Sequence, residues 1–407
     1  MISIKYVASR IKDVKISDYL SLIPMLVAKI ISPLFKRKYN DYWLVCEEPA
    51  EARDNGYVFF KYLVQNTSQK CIYAIKKKSV DYDKVKDIGE TVEYGSIKHW
   101  IIYFTSRYNI SSQKGGKPNA ALCSFFELNN IFKPTNIFLQ HGIIINNVKW
   151  LYRDKSKIDI FITSTRKETD FIKKNFGYPK GTVRMTGMPR FDEYIDINVN
   201  NKMVVIMPTW RYWFNLRSKQ SDGINRNFED SDYYQAWSQL LTSKELNALI
   251  EKENLNVVFY LHRNLQRYTG YFDTLNTKVK IARWQEYDIR ELLKKSAALI
   301  TDYSSVFFDM VYMKKAVIFY QFDVEEYRKV QYEKGYFDYD NNPFAKTYKN
   351  YQEVVRELSN QSKNHFSPSK KYMEEYRKTF TYQDSNCCKR IYEILKGLNN
   401  DTVAKRN

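Results

Sequence analysis

From residue 41 onward, short apolar runs alternate with amphipathic segments of helical length. Strands buried on both faces read as continuous apolar stretches and their crossover helices as amphipathic ones, so the pattern predicts parallel sheets covered by helices. In the first half the predicted strands are 42–46, 70–74, 109–112, 136–140, 158–163 and 182–186, with helical periodicity over 56–65 and 165–176. At Gly187-Met188-Pro189-Arg190 the pattern stops, because Gly and Pro so close together end both helix and strand, and a polar stretch over 196–202 follows. The alternation restarts with predicted strands at 203–207, 256–261, 279–281, 298–301 and 316–320.

Two α/β halves in series, in a chain of 407 residues that exceeds what one core ordinarily organises, predict two Rossmann-like domains. Facing each other across a central cleft, they would form the arrangement called GT-B. The expected boundaries are an N-terminal domain over 41–190, a C-terminal domain over 191–395 and a polar tail over 396–407. Residues 1–40 form a separate apolar and basic helical segment. Its most apolar part, 19–35, is interrupted by Pro24, Lys29 and Pro33 and runs into Lys36-Arg37-Lys38. That is short for a membrane span of about 20 residues. Such a helix is expected either to lie in the headgroup region of an anionic membrane, its basic end on the lipid, or to pack on its own domain. No apolar core with a cleavage site opens the chain, so a location on the cytoplasmic side is expected.

Sixty-five Lys and Arg against 46 Asp and Glu leave a formal charge of +19, a field that attracts anionic polymers, nucleotide diphosphates, nucleic acid and acidic lipid. Apolar residues at 44% and aromatics at 16% supply ample core material and exclude wholesale disorder. Cys46, Cys71, Cys123, Cys387 and Cys388 form no C-x-x-C, and the adjacent pair is poorly spaced for a disulfide, a pattern of reducing compartments. The four histidines, His99, His141, His262 and His365, are scattered without zinc-site spacing. The dinucleotide fingerprint is absent, and Gly115-Gly116 lacks the Lys-Ser/Thr of a phosphate-binding loop. No D-x-D flanked by strand residues appears, so nothing visible requires a metal or cofactor. No RRM, KH or zinc-finger pattern supports nucleic acid as a partner.

In open α/β sheets ligands bind beyond the carboxyl ends of the strands, so polar residues directly after strands are the candidates. The run Ile300-Thr-Asp302-Tyr-Ser304-Ser305-Val-Phe-Phe-Asp309 ends a buried strand in a polar cluster and starts a helix whose Phe307, Phe308, Val311 and Tyr312 share a face. Ser304 and Ser305 are therefore expected at a helix N-terminus, where unpaired N–H groups favour phosphate. His262, followed by Arg263 and Arg267, ends another strand of the same half, and Pro208-Thr209-Trp210-Arg211 ends a third. Three such strand ends suit a diphosphate. In the first half a strand ends in Gln140-His141-Gly142, where Gly142 is expected to turn the backbone and present His141 as a general base.

These motifs, in this order, resemble the CDP-glycerol glycerophosphotransferase family of teichoic acid polymerases and primases. The resemblance runs from about Tyr42 to Tyr392 and includes Phe322-Asp-Val-Glu-Glu-Tyr327. It implies a GT-B fold, a CDP-polyol donor in the C-terminal domain, and polyol-phosphate transfer to a hydroxyl of an anionic envelope polymer or lipid-linked acceptor, with CMP leaving. By motif position His141 would be the base. Thr209, Arg211, His262, Ser304 and Ser305 would hold the diphosphate, and Asp302 would orient that loop or the polyol. Trp284 and Glu286 would lie on the nucleotide side, and Arg263, Arg53 and Asp54 complete a second rank of substrate-contacting candidates. The chain departs from the family at Gln140 and at Ile143-Ile-Ile-Asn-Asn-Val-Lys149, which leaves the acceptor open. It departs again at Asn342-Pro-Phe-Ala-Lys346, which leaves glycerol, ribitol and other polyols open. A sugar transferase of the same architecture using a nucleotide sugar, in capsule synthesis for example, and a non-catalytic polyanion-binding scaffold are the competing expectations.

Overall fold

Seven strands of the first half assemble into one parallel sheet in the computed structural model, which describes residues 16–195, 197, 199–215 and 228–404. Residues 1–15 of the expected N-terminal segment, 196 and 198 of the polar stretch, and 405–407 of the expected tail lie outside the described residues. The strands are β1 (Trp43–Cys46), β2 (Cys71–Ile75), β3 (Thr91–Glu93), β4 (Tyr108–Ser111), β5 (Asn136–Phe138), β6 (Ile160–Thr163) and β7 (Val183–Met185). Their order is β3-β2-β1-β4-β5-β6-β7. Continuous burial of β1 and β2 follows from their apolar sequences, since helices cover both faces, and β4 is equally buried although Asn109 and Ser111 alternate there with Tyr108 and Ile110. Trp43, Phe59, Phe60 and Tyr73 anchor the core on one face, and Trp100, Ile102 and Tyr103 on the other.

The second sheet is β10-β9-β8-β11-β12-β13, again parallel throughout. Its strands are β8 (Asn200–Met207), β9 (Asn256–Tyr260), β10 (Lys280–Ala282), β11 (Ser296–Thr301), β12 (Ala316–Tyr320) and β13 (Thr347–Tyr348). Both sheets therefore reverse strand order once, between β1 and β4 in one and between β8 and β11 in the other. Two parallel-sheet α/β units are what the alternation predicted. The apolar-run criterion missed β3 and β13, which are edge strands of three and two residues. So short a strand buries too little to leave a hydrophobic run.

The two compact units do not follow the expected linear boundary. One comprises 1–142, 149–193 and 384–407, and the other comprises 143–148 and 194–383. The final helix, Cys387–Ala404, belongs with the first sheet because Cys388, Ile391 and Leu395 are buried beside Trp43 and Phe59. It also absorbs most of the expected polar tail. Its first two N–H groups, of Cys387 and Cys388, donate to the Asp192 carboxylate at 2.7 and 2.8 Å, a cap supplied from far away in sequence. All five cysteines are free and buried.

The N-terminal helix Leu22–Tyr39 packs on its own unit, one of its two expected alternatives. Met25, Ala28 and Tyr39 are buried with Trp100, Ile101 and Tyr103 of the helix Ile97–Thr105, so one face is part of the unit's core. Lys29, which interrupts the apolar run, lays its ammonium 4.7 Å from the Phe104 ring centre. The other face carries Ile23, Leu26, Ile30 and Leu34, all exposed, up to 82% at Leu34. By length and composition, Asp18–Tyr39 is also sufficient to cross a membrane.

Gly187 precedes the turn Pro189–Glu193 in a left-handed conformation, φ 82°, and a side chain there would come within 2.4 Å of the Cys387 sulfur. Gly187→Ala is expected to destabilise the protein by roughly 2–5 kcal/mol, combining the left-handed backbone penalty with overpacking. Urea denaturation checks this, and an unchanged midpoint would contradict the packing of the last helix against Gly187.

Candidate active site

In the first unit the polar residues collect where the sheet order reverses. The helix Asn55–Asn66 starts directly after β1, with Asp54 as its N-cap: one carboxylate oxygen accepts the Asn55 N–H at 2.8 Å. The same Oδ1 accepts from the Arg190 guanidinium at 2.9 Å, leaving Oδ2 for Nδ1 of His141, to which it is hydrogen-bonded. Gln113, after β4, lies 2.9 Å from the same ring nitrogen. Two-thirds of the His141 side chain is exposed, whereas Asp54 is largely covered.

The turn that presents His141 is not made where the sequence suggested. Gln140, not Gly142, takes the left-handed conformation, φ 67°. For a non-glycine residue this strain is of order 1–3 kcal/mol, and it persists only where surroundings impose it. They do. The buried Gln140 amide donates to the Ile162 carbonyl at 2.6 Å and to Glu168 at 3.0 Å, and the Gln140 carbonyl accepts from the Asn55 side chain at 2.7 Å.

The charges around this ring set its basicity. Asp54 beside it raises the His141 pKa above the ordinary histidine value, outweighing partial desolvation and the nearby Arg190. Burial alone would raise Asp54, but His141 and Arg190 hold it below the usual carboxylate range. Behind them Glu47 is fully buried, accepting from Gly56 N–H, Ser112 Oγ and Tyr73 OH, each at 2.6 Å. Desolvation, then Asp54, push it up to about 7 against these three donors. With Asp54 ionised, Nδ1 of His141 carries and donates the proton, so Nε2 presents its lone pair. That is the arrangement of a base oriented by a carboxylate.

In the second unit the loops after β8, β11 and β12 are held by one guanidinium. Arg211 is without solvent exposure; it donates to Asp323 at 2.8 and 3.0 Å and lies 2.8 Å from Asp302. The rings of Tyr233, Tyr303 and Tyr327 surround it at 5.0–5.2 Å. Asp302 in turn accepts from the Thr209 N–H at 2.8 Å, the Thr209 hydroxyl, and the Tyr303 N–H at 2.7 Å. Burial raises the Asp302 pKa despite Arg211 and Thr209. Arg211 and Thr209, expected to touch a diphosphate, are instead committed to these carboxylates. Both act from behind the loops, since a buried guanidinium needs its acceptors inside the protein.

Ser304 and Ser305 are half-buried at the loop surface, and Ser304 Oγ accepts the Val306 N–H at 3.3 Å. The helix itself begins later than expected, at Phe307, and has six residues. His262 is half-buried, with Nδ1 accepting the Asn264 N–H at 3.2 Å, so a proton on Nε2 can be donated outward. Its ring lies 6.2 Å from that of Trp210. The Arg263 guanidinium stacks 3.7 Å over the Trp284 ring, whose backbone N–H is fixed by Gln266 at 3.1 Å. Glu286 is exposed. Arg53, expected near substrate, is paired with Asp81 at 2.8 Å and serves the fold. Among the described residues no group of three or more His, Cys, Asp or Glu is arranged to hold a metal.

Sequence reasoning passed over Glu47, Gln113, Arg190 and Asp323. Asp323 lay inside the quoted 322–327 motif, and Arg190 inside a break taken only as a boundary. Glu47 carried no signal beyond a charge at the end of a strand.

The profile of the CDP-glycerol:poly(glycerophosphate) glycerophosphotransferase family matches residues 27–397. The chain belongs to this family. It is 31% identical over 383 residues to the minor teichoic acid biosynthesis protein GgaB of Bacillus subtilis, covering 91% of this chain and 41% of that protein. A teichoic acid poly(glycerol phosphate) polymerase of Bacillus spizizenii is 27% identical over 227 residues, covering 51% of this chain and 52% of its own length. The chain thus spans about two-fifths to one-half of these relatives. In fold it is similar to the wall teichoic acid polymerase TagF, with TM-score 0.64 over 96% of this chain and 99% of the TagF chain at 16% identity. S. aureus MnaA, solved with UDP, gives 0.54 over 88% of this chain and 96% of its own at 12% identity.

Arg211→Ala in this family member is expected to cost about 3–5 kcal/mol, because two buried carboxylates lose their counter-charge. Arg211→Lys should restore little of it, since one ammonium cannot reproduce the two-pronged contact. Chemical denaturation of both variants checks this.

Proposed function

We propose that this chain transfers glycerol phosphate, or a related polyol phosphate such as ribitol phosphate, from a CDP-polyol to a hydroxyl of a teichoic-acid-like envelope polymer, releasing CMP. The observation that carries this reading is the Asp54-oriented, exposed His141 in a member of the glycerophosphotransferase family. GgaB and the polymerases are named for teichoic acid synthesis, and one TagF structure was soaked with CDPG.

In the proposed step the acceptor oxygen attacks the phosphorus that bears the polyol, while Nε2 of His141 takes the hydroxyl proton. The bond from that phosphorus to the bridging oxygen breaks, and CMP leaves with the electron pair. Catalysis is then mainly positioning and charge stabilisation. His262, Ser304 and Ser305 present donors to the diphosphate, and the loop carrying the two serines is held by Arg211, Thr209, Asp302 and Asp323 behind it. The Arg263–Trp284 stack lies on the nucleotide side.

His141→Ala is expected to leave CDP-glycerol binding within about twofold and to lower CMP release by at least 10²-fold, the usual span for a lost general base being roughly 10²–10⁴. Ser305→Ala should weaken donor binding instead. Wild-type transfer should fall as pH drops through the raised His141 pKa, because the base is then protonated. Calorimetry with CDP-glycerol beside a release assay on CDP-glycerol, CDP-ribitol and nucleotide sugars tests all three. Unchanged turnover in the His141 variant eliminates the assignment, and UDP or GDP release would favour the sugar-transferase alternative.

The same proposal puts the protein on the cytoplasmic face of the membrane, with the helix Leu22–Tyr39 lying in the plane of the headgroups. Its buried face is support for in-plane docking over spanning, because crossing would strip Met25, Ala28 and Tyr39 from the unit's core. Ile30→Asp combined with Leu34→Asp, both at exposed positions, should lower partition onto anionic vesicles without changing stability. Undiminished vesicle binding by that double variant rules out the anchor.

A further inference from the structure

The break at Gly187-Met188-Pro189-Arg190 has a use beyond ending a domain's strand pattern. Pro189–Glu193 is a 3-10 turn clamped from both sides. Asp192 caps the last helix, Glu193 meets Lys61 at 3.2 Å, and the Arg190 N–H donates to the Asn55 side chain at 3.0 Å. The backbone of this turn therefore has little freedom. Its one inward-directed cation, Arg190, is buried, and a single nitrogen of it reaches both Asp54 Oδ1 at 2.9 Å and the His141 carbonyl at 2.6 Å. Asn55, held by the same turn, fixes the Gln140 carbonyl on the other side of the strained peptide.

We propose that Arg190 is a positioning residue for the proton-accepting pair, gripping the carboxylate and the backbone of the histidine at once, so that one side chain holds the two in register. The grip closes a ring of hydrogen bonds through Asp54, His141, Arg190, Asn55 and Gln140, and the imidazole turns away only by breaking its charge-assisted bond to Asp54. Four groups face the imidazole: Asp54 from the start of the helix Asn55–Asn66, Arg190 from the turn, Gln113 from the loop after β4, and Glu47 from the end of β1. Of these only Arg190 is positive, and it opposes protonation of the ring. Asp54 and Glu47 favour it. Without the guanidinium, the imidazole should therefore hold its proton to higher pH, and the base should be poorer in concentration at neutrality as well as worse aimed.

The test compares Arg190→Met and Arg190→Lys with wild type. With four histidines in the chain, the His141 ring can be followed by NMR on histidine-labelled protein and assigned with His141→Ala. In Arg190→Met the His141 titration should move to higher pH, the acid limb of the rate profile should move with it, and kcat should fall roughly ten- to hundredfold. CDP-glycerol affinity, measured on the same preparation, should stay within about twofold, which also verifies folding. Arg190→Lys keeps the charge and should return the titration to near its wild-type position, while kcat stays low because the shorter ammonium cannot reach both partners. An unmoved titration in Arg190→Met overturns the inference, as does a parallel loss of donor affinity and kcat. The kinetic arm rests on the transferase reading. Should wild type release no CMP from any CDP-polyol, that reading fails by itself, and the titration still decides the role of Arg190.

Discussion

A guanidinium sealed from water must find its acceptors inside the protein, and in the second unit that requirement organises everything at the carboxyl edge of the sheet. Arg211, from the loop after β8, can be buried only because Asp302 after β11 and Asp323 after β12 come to it. The loops of three adjacent strands are thereby drawn to one point. Thr209 and Tyr303 then donate to one oxygen of Asp302 while Arg211 lies against the other, and the tyrosine rings around the guanidinium exclude the water that would loosen it. Ser304 and Ser305, directly after Asp302 and Tyr303, owe their positions at the surface to this buried centre.

The first unit repeats the device with different partners. Arg190 is likewise buried, and it likewise joins a carboxylate to a loop that follows a strand. The difference lies in what is left exposed. Here the carboxylate has a second oxygen, and that oxygen meets an imidazole open to solvent. A left-handed glutamine immediately upstream is strain stored where the chemistry is presented, and buried hydrogen bonds to Ile162, Glu168 and Asn55 hold it. Preorganisation of this kind suits a reaction in which the protein contributes orientation and charge more than covalent chemistry.

Membership in the glycerophosphotransferase family and the geometry of the two units support each other, but they speak to different things. Family membership fixes the class of chemistry to consider, while the chain spans only part of its longer relatives. The geometry distinguishes side chains that can meet a substrate from those that hold them. Arg211 and Thr209 fall in the second group, although the motifs alone would place them in the first, and Asp302 holds its loop, one of the two roles that the motifs left open to it.

Hydrophobic alternation by itself determined the α/β class, the two parallel sheets and eleven of their strands in outline, because a strand buried on both faces must be apolar along its length. It also brought out His141, Ser304, Ser305 and His262, since ligands in such sheets meet the residues that follow strands. Tertiary structure decided the rest. The final helix joined the first unit because its apolar face and its Asp192 cap lie there, a pairing separated by 195 residues that no local pattern records. Whether an arginine faces a ligand or a buried carboxylate is likewise invisible in sequence: Arg211 reads as a diphosphate contact and Arg190 as part of a boundary until distant chain segments bring Asp54, Asp302 and Asp323 to them. Local composition sets which elements form, whereas burial, which depends on the whole chain, sets what each charge is for.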